Sequence, residues 1–197
     1  MTAGSMPIAD PPDGARPRRG RGLVLIGGRG TGKSTVGWLI AARAGRPFID
    51  SDREIEVRSG RSIRAIFDEL GEPAFRDWEE STLARLAAEA PEAVLATGGG
   101  AILREANRNV LRGFGLVAWL TANPAEMGRR LQAHRSGLAE RPALTPAGTL
   151  DEIVAVLAAR QPLYASLADV TIATDGLTPT EVAETLLALW PGESPPC

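Results

Sequence analysis

The stretch "GGRGTGKST", Gly27 to Thr35, sets one lysine and three hydroxyl residues among glycines. Lys33 is the only lysine in a chain that carries 22 lysines and arginines in all. Where arginine serves every generic need for positive charge, a lone lysine marks a place for a compact point charge rather than a planar fork. The stretch also matches G-x-x-x-x-G-K-[ST], with Gly27, Gly32, Lys33 and Ser34 in register. The strand-like "LVLIG" runs into it and the helix-like "VGWLIAARAG" leaves it, which is the context the pattern requires. Small residues let successive backbone N–H groups turn inward around phosphate oxygens, and the helix that follows points its positive end at them. Gly28, Arg29, Gly30, Thr31, Gly32, Lys33, Ser34 and Thr35 are therefore the expected nucleotide-binding residues. Lys33 would reach the β and γ phosphates and Ser34 would place its hydroxyl on Mg²⁺, while Thr35 reads as a first-turn helix residue.

A second group of chemically capable residues follows. In "IDSD", Asp50 and Asp52 stand two apart, so on an extended chain they project to one side. One carboxylate there can hold the water shell of a metal beside a nucleotide, and the other can accept a proton from an attacking hydroxyl. The pair has a plainer reading as well, since Ser51 and Glu54 resemble a capping box, and the two readings are compatible. "FRDWE" places Arg76 in a helix-like stretch. "ATGGG" puts Gly98, Gly99 and Gly100 directly after an apolar run, where glycines admit close approach of backbone to a ligand. "AERPALT" and "ARQPLY" add Arg141 and Arg160, which by type alone read as solvated charges.

These residues need a scaffold, and short β-like runs alternate with longer amphipathic ones in the order that builds a parallel sheet with helices on both faces. The expected strands are "LVLIG", "PFIDS", "AVLAT", "LVAWLT" and "DVTIAT". Leu83, Leu86, Ala87 and Ala90 recur at helical spacing, as do Leu150, Ile153, Val154 and Leu157, so each set predicts one buried stripe. Asn123-Pro124 with Glu126, Thr149 with Glu152, and Thr178-Pro179 with Glu181 read as helix starts. In such sheets ligands lie beyond the carboxyl ends of the strands.

The 197 residues, 44% hydrophobic with a net charge of −2, fit one soluble domain. No membrane span is evident, and the near-neutral balance argues against a general nucleic-acid binder. The single cysteine, Cys197, excludes an intrachain disulfide framework and fits a reducing cytoplasm. "MTAGSMPIADPPDGARPRRGRG" is rich in Pro, Gly and Arg and lacks the apolar run of a secretory signal. Residues 1–21 and 191–197 are thus expected to be disordered tails around a folded unit of residues 22–190.

Taken in order, the phosphate loop, D-x-D in "IDSD", F-R-x-x-E in "FRDWE", the triple glycine, R-P in "ERPAL" and R-x-P-L-Y in "RQPLY" resemble the shikimate kinase family from about Gly22 to Trp190. The resemblance implies an α/β P-loop NTPase fold related to the nucleoside monophosphate kinases. That fold has three α/β/α layers, a parallel five-stranded sheet and a mobile lid at about residues 134–148. It implies ATP and Mg²⁺ as cofactors and an enzyme that phosphorylates shikimate at the 3-hydroxyl, giving 3-phosphoshikimate and ADP in aromatic amino-acid biosynthesis; a monomer is expected. On the matching positions, Lys33 becomes the phosphate clamp, Ser34 the Mg²⁺ ligand and Asp50 an outer-shell partner of the metal. Asp52 becomes the contact and base for the substrate hydroxyl. Arg76 and Arg160 grip the carboxylate beside Gly98, Gly99 and Gly100, with Glu79 orienting Arg76. Arg141 closes over the γ phosphate, and Arg130 and Pro179 flank the adenine. A gluconate kinase would share the loop and D-x-D without "FRDWE" and "RQPLY". A ligand sensor without turnover has no need of Arg141.

Overall fold

The computed structural model describes residues 21–134 and 150–190. Arg141, the lid segment beyond His134, the Thr149 cap and both terminal segments fall outside these residues. The chain order is β1 (Gly22–Ile26), α1 (Lys33–Ala44), β2 (Phe48–Asp50), α2 (Ser51–Ser59), α3 (Ile63–Glu89), β3 (Val94–Ala96), α4 (Glu105–Phe114), β4 (Gly115–Thr121), α5 (Pro124–His134), α6 (Leu150–Leu167), β5 (Val170–Ala173) and α7 (Pro179–Leu189). All five expected strands form, and they pair in parallel in the order β2-β3-β1-β4-β5.

The central strand explains why its sequence is apolar without interruption. Every residue of β1 is buried, because helices cover both faces of a parallel sheet. Leu23 and Leu25 join α1 and α7 through Val36, Ile40, Val182 and Leu186. Val24 and Ile26 point the other way, into Leu83 and Leu86 of α3, Leu111 of α4, and Tyr164 and Leu167 of α6. The period-two alternation thus divides one strand between two cores, and the three α/β/α layers follow. A third, smaller cluster of Ile55, Ile63, Ile66 and Phe75 joins α2 to α3. Among the described residues no helix is long and apolar enough to cross a membrane.

α3 is broken at Gly71, whose φ of 82° and ψ of 170° leave the helical region. Pro73 then stands in the first turn of the continuing helix, where its missing N–H costs no hydrogen bond. The break re-aims the chain so that Arg76 and Glu79 face the sheet end. Two of the expected helix starts form as read. Asn123 Oδ1 accepts from Ala125 N at 2.9 Å, and Thr178 and Glu181 make a full capping box. One stripe differs from expectation: Val154 is 46% exposed. α6 is anchored by Tyr164 and Leu167 near its carboxyl end, so its earlier turns owe less of their surface to the core.

Candidate active site

The turn between β1 and α1 winds through Gly30 at φ 80° and Gly32 at φ 91°, a region that residues with a Cβ rarely enter. Thr31 Oγ1 donates to Gly28 O at 3.0 Å and closes the turn from inside. Among the described residues no side chain caps α1 at Gly32. α1 starts at this turn, so its first N–H groups and the positive end of its dipole lie there. Lys33 Nζ donates to Gly27 O at 2.9 Å and to Gly28 O at 2.7 Å, which lays the ammonium along the same turn. Leu157 packs over the loop: a Cβ built on Gly28 would lie 2.9 Å from its Cδ2.

Asp50 makes two contacts at the end of β2. Its Oδ1 accepts from Asp52 N at 3.0 Å and caps α2, while its Oδ2 accepts from Ser34 Oγ at 2.7 Å. Two details correct the sequence reading. The strand ends at Asp50, so Asp52 is not its extended-chain neighbour but sits in the first turn of α2. The cap is Asp50 and not Ser51, because the buried Ser51 hydroxyl accepts from Gly98 N at 3.2 Å. Glu54 is drawn away to Arg85, 2.6 Å distant.

The triple glycine is where the remaining groups converge. A Cβ on Gly98 would stand 2.6 Å from Asp52 Oδ1 and 3.2 Å from Glu79 Oε1. On Gly99 it would lie 3.8 Å from Arg160 Nη1, and on Gly100 only 2.5 Å from Arg76 Nη1. Side chains from α2, α3 and α6 thus meet over three consecutive backbone units, and any larger residue at Gly98 or Gly100 would displace a charged group. Glycine is required here for space.

Arg76 is itself held at both edges. It donates to Glu79 Oε2 at 2.9 Å and Glu72 Oε1 at 2.8 Å, and its guanidinium lies 5.2 Å from the Phe75 ring centroid. Burial works against its charge, but the Glu79 and Glu72 carboxylates outweigh that and raise its pKa. Glu79 is only 1% exposed. Desolvation pushes its pKa up to about 7 against the opposing pull of Arg76, and its Oε1 has no hydrogen-bond partner. Arg160 Nη1 donates to Gly99 O at 3.3 Å.

Arg130 reaches the phosphate turn from α5. It pairs with Glu126 at 2.7 Å and donates to Gly30 O at 3.4 Å, Thr174 Oγ1 at 2.9 Å and Thr174 O at 3.1 Å. Pro179 opens α7 after the turn that starts at Thr174. Ser51, Thr174 and Tyr164, whose hydroxyl donates to Gly99 O at 2.6 Å, are contributors that the sequence reading did not assign. Tyr164 closes the R-x-P-L-Y motif, so a signal for it was present; Ser51 and Thr174 act through partners 47 and 44 residues away and offered none.

A parallel sheet with a phosphate loop at its carboxyl end and a charged cluster beside that loop defines a P-loop kinase. The family model for shikimate kinase matches residues 29–190. A shikimate kinase from Pseudomonas syringae pv. tomato is 45% identical over 168 residues, 85% of this chain and 95% of the relative. One from Symbiobacterium thermophilum is 46% identical over 153 residues, 78% and 86% of the two chains. A shikimate kinase from Acinetobacter baumannii, solved in complex with shikimate, shares 36% identity at a TM-score of 0.78, covering 86% of this chain and 92% of that one. The chain belongs to the shikimate kinase family, and its activity is the ATP-dependent phosphorylation of shikimate.

Proposed function

We propose that Lys33, Asp52 and Arg141 carry the transfer of the ATP γ-phosphoryl group to the 3-hydroxyl of shikimate, while Arg76 and Arg160 hold its carboxylate over Gly98, Gly99 and Gly100. The observation that carries this reading is the convergence of Asp52, Arg160 and Arg76 on those three glycines. Two planar forks suit a carboxylate, and a carboxylate among them suits a hydroxyl. Asp52 accepts the hydroxyl proton as the new O–P bond forms and the bond from the γ phosphorus to ADP breaks. Lys33 offsets charge on the β and γ oxygens, aided by the first N–H groups of α1. Arg141 lies outside the described residues; its place in the segment between α5 and α6 supports the role of lid arginine. The product enters the synthesis of aromatic amino acids.

Mg²⁺ fits the pair Ser34 and Asp50, an oxygen-only set 2.7 Å apart at the loop. Among the described residues no three His, Cys, Asp or Glu gather as a metal cluster, and a Mg²⁺ bound chiefly by phosphate and water requires none. Bound there, the ion would neutralise phosphate charge; Ser34 would ligate it directly and Asp50 through water. Arg130, its edges engaged by Glu126 and Thr174, presents its face to a base, and Pro179 is proposed across from it.

The catalytic unit is proposed to span residues 22–190, with residues 1–21 and 191–197 as tails, in a monomeric cytoplasmic enzyme. Trp190 Nε1 donates to Arg21 O at 3.2 Å, which supports a boundary at that point. A chain beginning at Arg21 is expected to keep kcat within about twofold of the full chain. Steady-state rates of the two chains provide the check.

Loss of either carboxylate fork tests the substrate pocket. Arg160→Ala is expected to lower kcat/KM for shikimate by about thirtyfold or more, the effect of roughly 2–5 kcal/mol of lost charge pairing, with little change in KM for ATP. Arg76→Ala should match it in activity but also lower Tm, because Glu79 is then left buried without its counter-charge. Unchanged kcat/KM in both variants would remove the two-arginine pocket.

A further inference from the structure

Gly99 O is shared by two donors from one helix face. Tyr164 Oη donates at 2.6 Å and Arg160 Nη1 at 3.3 Å, four residues and about one helical turn apart. The short bond belongs to the tyrosine and the long one to the arginine. Tyr164 is 1% exposed, and its ring stacks on Trp119 of β4 at a centroid distance of 5.5 Å with the planes 18° apart. Neither ring nor hydroxyl is free to wander. A Cβ on Gly99 would lie 3.4 Å from Gly27 O, so the carbonyl they share belongs to the residue that faces the phosphate turn.

We propose that Tyr164 is a positioning residue: its hydroxyl holds the Gly99 carbonyl so that Arg160 can leave that carbonyl and turn its fork to the substrate carboxylate. The inference rests on the assignment of Arg160 to the carboxylate. With the tyrosine present, the departure of Arg160 leaves Gly99 O satisfied and the turn unchanged. With phenylalanine in its place, Arg160 becomes the donor on which that part-buried carbonyl depends, and binding substrate takes that donor away. Burial pushes the Tyr164 pKa up to about 12, against the opposing pull of Arg160, so the hydroxyl remains a donor throughout the working pH range.

The test compares wild type, Tyr164→Phe and Trp119→Phe, each with Mg·ATP and either shikimate or its carboxamide. Wild type should prefer shikimate to the amide by about thirtyfold or more in kcat/KM. Tyr164→Phe, which keeps the ring and the stack, should raise KM for shikimate about three- to tenfold while kcat and KM for ATP stay near wild type. Its KM for the amide should hardly move, since no fork is drawn from Gly99. Trp119→Phe should lower Tm without moving KM for shikimate, which separates packing from the hydrogen bond. If wild type discriminates but Tyr164→Phe has an unchanged KM, or if Trp119→Phe raises KM equally, the positioning role is overturned while the arginine pocket stands. If wild type accepts the amide as readily as shikimate, the arginine pocket falls and the tyrosine's role falls with it.

Discussion

Lys33→Ala should lower kcat on the order of 10³-fold while the protein stays folded, because the ammonium serves charge that grows on the transferring phosphate. In the structure its anchors include two carbonyls of its own turn, Gly27 O and Gly28 O. Losing hydrogen bonds of that kind should shift Tm by no more than about 5 °C. Lys33→Arg should fail as well. The turn is narrow, with Thr31 Oγ1 bonded across it to Gly28 O, and a guanidinium needs the volume that the phosphates occupy. Single-turnover rates and thermal melts on both variants provide the check: near wild-type turnover by Lys33→Ala would take Lys33 out of the mechanism, and by Lys33→Arg would overturn the argument from space.

Asp52→Asn has the second largest expected effect, a fall in kcat of about 10²- to 10⁴-fold with a smaller change in KM for shikimate. The substitution keeps side-chain size, and the Asp50 cap that accepts from the backbone of residue 52 is untouched. What it removes is the negative charge that orients the hydroxyl and takes its proton. Since Gly98 leaves room for Asp52 Oδ1 at 2.6 Å from a constructed Cβ, Gly98→Ala should reproduce part of the loss by displacing the same carboxylate. A kcat for Asp52→Asn within a few-fold of wild type would show that the proton leaves by another route.

The strands were legible in the sequence because burial on both faces writes a continuous apolar run, as in "LVLIG" and "LVAWLT". The phosphate loop was legible because its chemistry is local, with every participant between Gly27 and Thr35. The end of β2 was less so: a carboxylate at Asp50 both caps α2 and accepts from Ser34, and only the fold shows that one residue does both. Asp52 was singled out on the wrong geometry, since a helix turn and not strand alternation aims it. The meeting of Arg76 with Gly100 and of Arg160 with Gly99 depends on the break at Gly71 and on α6 crossing back over β4. No spacing in the sequence carries that information; the motifs located these residues only through a resemblance. Nothing local to Arg130 signals that Thr174, 44 residues away, is its acceptor. Val154 shows the reverse case, a residue in step with an apolar stripe whose turn lies away from the anchored end of α6.

The most direct test of the whole site is ADP release by the purified chain, coupled to identification of the phosphorylated product, with Mg·ATP and shikimate, gluconate or a nucleoside monophosphate as acceptor. A pocket built from two arginine forks and Asp52 predicts one ADP for each 3-phosphoshikimate formed, dependence on both Mg²⁺ and shikimate, and a kcat/KM for shikimate at least about thirtyfold above that for the other acceptors. Shikimate binding without ADP release, or a preference for gluconate, would contradict it.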